Sequence, residues 1–186
     1  MAEPLADIDK ARDAIGRESW AEAYEQLRTV DPALLSPQDL DGFADAAWWL
    51  SRTGESIAAR QRAYAGYAAG GDPLAANVAI RLCIEHLLRA EPAVAAGWLM
   101  RAQRHLREQP ESIQHGYLAL AEAMSARFRG VFAAAMGLAA RATEIGQRFG
   151  DRDLVALAIH AQGLLLISGG KVAEGMALLD EAMTSQ

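Results

Sequence analysis

The sequence predicts an all-α protein of about ten helices paired into five antiparallel hairpins. Three observations carry this prediction. Helix formers, alanine above all, dominate a composition that is 52% hydrophobic but contains only 4 Trp, 4 Tyr and 4 Phe, which favours closely packed helices over sheets. Apolar residues recur three or four positions apart, the spacing of one helix face. Turn signals interrupt this pattern at regular intervals along the whole chain.

The first two hairpins are predicted from residue 4 to residue 69. Apolar stripes indicate helices over 4–16 and 20–30, and Pro32 ends the second because the residue before a proline is pushed out of the helical region. Ser36 and Pro37 then form a strong start signal, a capping residue followed by proline in the first turn. The third helix runs to residue 52, and Gly54 is predicted to make the turn into a fourth that ends near residue 69.

The remaining three hairpins follow the same logic. Gly70 to Pro73 stops one helix and starts the next, over 74–89. Further helices are predicted over 92–107, from Pro110 to 127, and from Gly130 to 149. Asp151 is expected to cap the ninth helix, and Gly170 introduces the tenth.

The turns inside the hairpins define a repeat. They fall near Glu18, Gly54, Glu91, Gly130 and Gly170. Helical hairpins repeating with a period near 40 residues indicate a tetratricopeptide-like solenoid, here one domain over residues 1–186. Small residues support this register at most of the positions five after and seven before each turn: Ala23, Ala59, Ala96, Ala135 and Gly175, and Ala11, Ala47, Ile84, Ala123 and Gly163. The alternative is an irregular helical bundle.

Net charge, cysteine content and the distribution of apolar residues argue against several classes of function. A net charge of -6 argues against a chain that neutralises nucleic-acid phosphates by itself. The single cysteine, Cys83, excludes an internal disulfide and fits a reducing compartment. The amino terminus does not read as a signal peptide, and the longest uncharged run, 154–170, is too short to span a bilayer. We therefore expect a cytoplasmic protein that has no membrane segment.

No pattern in the sequence predicts catalysis. The motifs of phosphate-binding loops, zinc proteases and serine hydrolases are missing from the sequence. Cys83, Glu85 and His86 lie close together on one predicted helix, but a metal site needs further ligands. We therefore expect no enzyme activity, no cofactor and no metal.

A tetratricopeptide-like fold implies a binding surface, because the first helices of its hairpins line the concave face. Adjacent residues on a helix point about 100° apart, so Trp48 and Trp49 cannot both enter one core seam. The predicted groove residues are Trp48, Arg52, Arg81, Glu85, Arg89, Tyr117, Met124, Arg127, His160 and Leu164. Aromatics beside arginines suit a protein or peptide partner, or a small anionic and partly apolar ligand. The alternative is that the aromatics fill the interior and the arginines are solvated.

Several blocks resemble the helical-repeat region of LuxR-type transcriptional regulators. The blocks are AWWL at 47–50, GWLMRA at 97–102, HGYL at 115–118 and GKVAEGMALLDEAM at 170–183. In that family the repeats form a sensing or interaction platform, and a separate helix-turn-helix domain binds DNA. The resemblance thus implies a regulatory module, bacterial in origin, while direct DNA binding is not expected of this chain because it holds no helix-turn-helix motif.

The last predicted helix carries apolar residues on more than one face, although a terminal repeat normally turns a polar face outward. We therefore expect self-association through Val172, Met176, Leu179 and Met183. The chain is either a fragment of a longer regulator, in which further repeats cover this helix, or a free-standing scaffold that forms a homodimer through it.

Overall fold

The computed structural model describes the backbone of residues 2–184 and the side chains of residues 6–180. Within these residues it contains ten α-helices, one short 3-10 helix and no strand. The α-helices are α1 (Ala2–Gly16), α2 (Trp20–Leu27), α3 (Pro37–Trp49), α4 (Thr53–Ala69), α5 (Leu74–Leu88), α6 (Pro92–Leu106), α7 (Ile113–Phe128), α8 (Phe132–Phe149), α9 (Arg152–Ser168) and α10 (Val172–Thr184). The predicted all-α class is confirmed.

Three predicted boundaries were wrong. The α2 helix ends at Leu27, and a 3-10 helix over Pro32–Leu34 follows, where Asp31 accepts a hydrogen bond from the backbone of Ala33. The turn between α3 and α4 precedes Gly54, which lies inside α4. The α7 helix starts at Ile113 rather than at Pro110 because Ser112 and His115 form a capping box there.

All five hairpin turns share one backbone motif. One residue in each turn adopts a positive φ, and these residues are Glu18, Ser51, Ala90, Gly130 and Gly170. The residue after each of them donates its backbone N–H to a carbonyl five positions earlier, over 2.8 to 3.0 Å, as in Ser19 to Ala14 and Val131 to Ala126. This is the Schellman motif, which satisfies carbonyl groups at a helix end. The left-handed residue therefore marks the same point in each repeat.

Counting from the left-handed residue corrects the predicted register. The residues five after it are all small and buried: Ala23, Ser56, Ala95, Ala135 and Gly175. So are the residues seven before it: Ala11, Ala44, Cys83, Ala123 and Gly163. The register predicted from the sequence places Ala59, Ala96, Ala47 and Ile84 at these positions instead. Ala96 is exposed in the structure. Small residues are needed here because the two helices of a hairpin approach closely.

The chain forms two compact units, unit 1 (Met1–Val78) and unit 2 (Ala79–Gln186), with the boundary inside α5. In unit 1, α1, α2 and α3 share an alanine-rich core, and α4 packs on α3, where buried Arg60 of α4 pairs with Asp41 and Asp45. Unit 2 packs α6 to α10 together, and α7 contacts both α8 and α9. Direct contact between α7 and α9, the first helices of successive hairpins, creates the surface described next.

Candidate functional site

A groove with a volume of about 320 Å³ opens on the first helices of the last three hairpins, all within unit 2. We call it the α5–α7–α9 groove. Its lining residues are Ile84 and Leu88 of α5, Leu120, Ala123, Met124 and Arg127 of α7, and Leu157, His160, Ala161, Leu164 and Leu165 of α9. A concave, mainly apolar cleft of this size with few polar groups is typical of binding sites.

The hairpin register explains why these side chains meet. Ile84, Met124 and Leu164 each lie six positions before the left-handed residue of their hairpin. Leu120 and His160 each lie ten positions before it, about one helical turn away on the same face. Equivalent residues of three hairpins thus form one continuous strip across unit 2.

Two large apolar side chains at the groove face water. Leu88 is 58% exposed and Leu157 is 49% exposed. Single exposed leucines are common on protein surfaces, but two beside a mainly apolar cleft form a patch typical of interaction sites.

Arg127 and His160 are the polar side chains of the lining. The half-buried Arg127 guanidinium lies 5.6 Å from the centre of the Phe128 ring and forms no ion pair with the described carboxylates. The His160 side chain is exposed, and its imidazole makes no hydrogen bond to another described residue. The groove therefore offers one cation and one imidazole to a partner.

Four of the predicted groove residues line this groove, namely Met124, Arg127, His160 and Leu164. On α5 the prediction fell one residue late. Glu85 is buried, Arg81 is half-buried and Arg89 pairs with Glu91. The lining residues there are Ile84 and Leu88, because the left-handed residue of that turn is Ala90 and not Glu91.

Tyr117 has a different position from the one expected. Its hydroxyl donates to the Asp151 carboxylate, 3.3 Å from Oδ2, and burial together with this carboxylate raises the pKa of Tyr117 to about 12. Asp151 also accepts the Leu154 backbone N–H at 2.8 Å and so caps α9, as predicted. Tyr117 therefore ties α7 to the start of α9, the two helices that supply most of the groove lining.

Trp48 and Arg52 belong to unit 1. Trp48 is half-buried on α3, whereas Trp49 is exposed and stacks on Trp20, with ring centroids 6.0 Å apart. Arg52 lies 4.7 Å above the Tyr24 ring and pairs with Glu55. The guanidinium of Arg52 is thus held at the second hairpin turn.

Cys83, Glu85 and His86 lie close together on α5. No group of three or more possible metal ligands occurs among the described side chains. Burial, with a contribution from the charge of Glu122, raises the pKa of the Cys83 thiol to about 12, so the thiol is unreactive at neutral pH. His86 Nδ1 lies 2.6 Å from Glu91 Oε2, and buried Nε2 has no hydrogen-bond partner in the described part of the chain. Cys83 instead fills a small-residue position of the third hairpin.

The residues predicted for self-association lie on α10. Val172 and Met176 are exposed, and Leu179 is half-buried. The side chain of Met183 lies outside the described residues.

None of the described helices is long and apolar enough to cross a lipid bilayer.

Solved structures share this fold. A putative kinesin light chain with nearly identical TPR-like repeats from Podosopora anserina aligns with a TM-score of 0.64 and 15% identity, over 100% of this chain and 97% of its own. MamA MSR-1 aligns with a TM-score of 0.63 and 14% identity, over 100% of this chain and 97% of its own. BtubC from P. vanneervenii aligns with a TM-score of 0.62 and 17% identity, over 94% and 72%.

These similarities confirm the predicted tetratricopeptide-like fold class. Identities this low show the fold alone. No family model and no curated protein matches the sequence. None of the three similar proteins is named as a LuxR-type regulator, so that assignment stays a prediction.

Proposed function

We propose that this chain is a non-enzymatic, tetratricopeptide-like interaction module that holds a protein partner in the α5–α7–α9 groove. One observation carries the proposal: equivalent positions of three successive hairpins present apolar side chains to a single cleft, and two of the lining leucines remain exposed. A partner that covers Leu88 and Leu157 removes apolar surface from water, which stabilises the complex.

We further propose that this chain is the regulatory repeat region of a LuxR-type bacterial regulator. Its support is the sequence resemblance of the four blocks between residues 47 and 183. In such a protein, a partner in the groove would shift the activity of an attached output domain. A partner can shift this activity only if the regulator has two conformational states and the partner binds them with different affinities.

The test uses an unconstrained peptide display library and three forms of the full chain. The groove variant replaces Leu88 and Leu157 with serine, and the control replaces Met100, which is 62% exposed on α6, with serine. We expect peptides selected on the wild type to bind the control equally and the groove variant at least about tenfold more weakly, a difference of about 1.4 kcal/mol. Because all three positions are exposed, all three forms should have the same helical circular dichroism. Peptides that bind the groove variant as well as the wild type would refute the proposal.

Self-association through α10 is a second candidate function, in which the chain is a free-standing scaffold. The exposure of Val172 and Met176 on the last helix favours it. A second copy would cover this apolar face, as a further repeat would in a longer array.

A further inference from the structure

We infer that the partner segment held in the α5–α7–α9 groove is an acidic amphipathic helix, with aliphatic side chains on one face and a carboxylate that pairs with Arg127. The inference rests on the proposed function and specifies the partner of the same site.

The walls of the groove favour a helix over an extended peptide. All three walls are helices, whose backbone N–H and C=O groups are used within the helices themselves. Among the described residues of the lining, Arg127 and His160 alone have polar side chains. An extended segment would leave many of its own backbone groups without hydrogen-bond partners in an apolar cleft, which is costly. A helix satisfies its backbone internally and presents only side chains.

The shape of the lining fits aliphatic anchors spaced by one helical turn. Ala123 and Ala161 of the lining are small, and Ile84, Met124 and Leu164 contribute larger side chains to the same lining. Methionine adapts its shape to a partner more easily than a branched residue does. Side chains at positions i, i+3 or i+4, and i+7 of a bound helix would follow the strip that contains Leu164, Met124 and Ile84.

The charge of the groove selects the polar part of the partner. Arg127 is half-buried and has no carboxylate partner among the described residues, although acidic residues outnumber basic ones in the chain, 24 to 18. A guanidinium forms short, bidentate hydrogen bonds with a carboxylate. The net charge of -6 repels an acidic partner at a distance. Salt screens that repulsion beyond about 8 Å, whereas the contact with Arg127 acts at short range.

The experiment selects helical peptides that bind the wild-type chain and, separately, two variants in which one arginine is reversed in charge. The library has a neutral alanine and glutamine framework with six randomised positions on one face, and it is panned against the wild-type chain, Arg127→Glu and Arg104→Glu. Arg104 is an exposed arginine of α6 and serves as the control for charge reversal. Peptides that still bind the Leu88→Ser, Leu157→Ser double variant are discarded.

We expect the wild type and Arg104→Glu to enrich apolar residues at helical spacing together with Asp or Glu at one further position. Arg127→Glu should enrich the same apolar anchors with Lys or Arg at that position. Replacing the acidic residue of one selected peptide with Gln should weaken its binding to the wild type about tenfold, the loss of a charge-assisted hydrogen bond, and leave its weaker binding to Arg127→Gln unchanged.

The results that would contradict the inference differ from those that would contradict the proposed function. Groove-dependent peptides with no acidic preference, or with a preference that Arg127→Glu does not invert, would overturn the acidic partner and leave the proposed function standing. Groove-dependent peptides from the unconstrained library that carry proline beyond the first helical turn would overturn the helical form and leave the proposed function standing. If neither library yields a peptide that depends on Leu88 and Leu157, both the inference and the proposed function fail.

Discussion

Three of the five hairpin turns place a residue other than glycine in the left-handed region, with φ of 55° at Glu18, 59° at Ser51 and 56° at Ala90. A Cβ atom makes this conformation unfavourable. We expect Ala90→Gly to raise the free energy of unfolding by about 1 kcal/mol, because Ala90 is exposed and the change removes only backbone strain. The converse, Gly130→Ala at φ 75°, should lower it by a similar amount. Urea denaturation of both variants measures this, and a destabilising Ala90→Gly would contradict it.

Asp39 is a buried carboxylate that links α1 to α3 in unit 1. Burial raises its pKa, but hydrogen bonds from Arg12, 2.8 Å from Nε to Oδ1, and from Ser36 outweigh burial and hold the pKa of Asp39 below its ordinary value. A carboxylate with a lowered folded-state pKa stabilises the fold above its unfolded pKa, about 3.9, and loses this contribution as the pH falls further.

We therefore expect Asp39→Asn to lower the free energy of unfolding by about 2 kcal/mol at pH 7, the contribution of hydrogen bonds to a charged group. The difference from the wild type should shrink as the pH falls below about 3.9. Urea denaturation at pH 7 and pH 3 measures both values. A difference that is the same at the two pH values would show that the charge of Asp39 contributes nothing.

At the scale of helices and turns, the sequence predicted all ten helices because apolar spacing, capping residues and prolines are local signals. The errors in the repeat register arose at two turns that lack glycine. Ser51 and Ala90 carry no turn signal, whereas Gly54 and Glu91-Pro92 do, so two turns were placed three residues and one residue late. The small shift at Ala90 moved the predicted groove from Ile84 and Leu88 to Glu85 and Arg89.

The close approach of α9 and α10 gives a test of the small-residue register in the last hairpin. A Cβ on Gly163 would lie 2.9 Å from the Gly175 carbonyl oxygen and from Leu179 Cδ2, whereas a Cβ on Gly137 of α8 would meet nothing within 4 Å. We expect Gly163→Ala to lower the free energy of unfolding by about 1 to 3 kcal/mol through overpacking, and a larger side chain such as leucine to cost more. Gly137→Ala should raise it by about 0.5 to 1 kcal/mol, since alanine favours a helix. Equal effects on the two thermal midpoints would refute this register.

At the scale of the whole chain, the hairpins differ in what they place six positions before the left-handed residue. In unit 2 this position holds Ile84, Met124 and Leu164. In unit 1 it holds Arg12, which pairs with Asp39, and Asp45, which pairs with Arg60. Unit 1 thus uses this position for internal ion pairs, while unit 2 leaves an apolar groove. This contrast can be read from the sequence only after the turns are placed correctly.

Self-association is a property of the whole chain, because it depends on the face of α10 that no described helix covers. Val172 is 54% exposed and Met176 is 48% exposed there. We expect the native mass of the chain to rise from monomer to dimer with concentration, and Met176→Glu to abolish the dimer, because a charge would be buried at the interface. Met100→Glu, the same change at a methionine of α6 that is 62% exposed, should leave the dimer intact. Native mass spectrometry and light scattering over a wide concentration range measure this. A monomer at every concentration would refute self-association through α10.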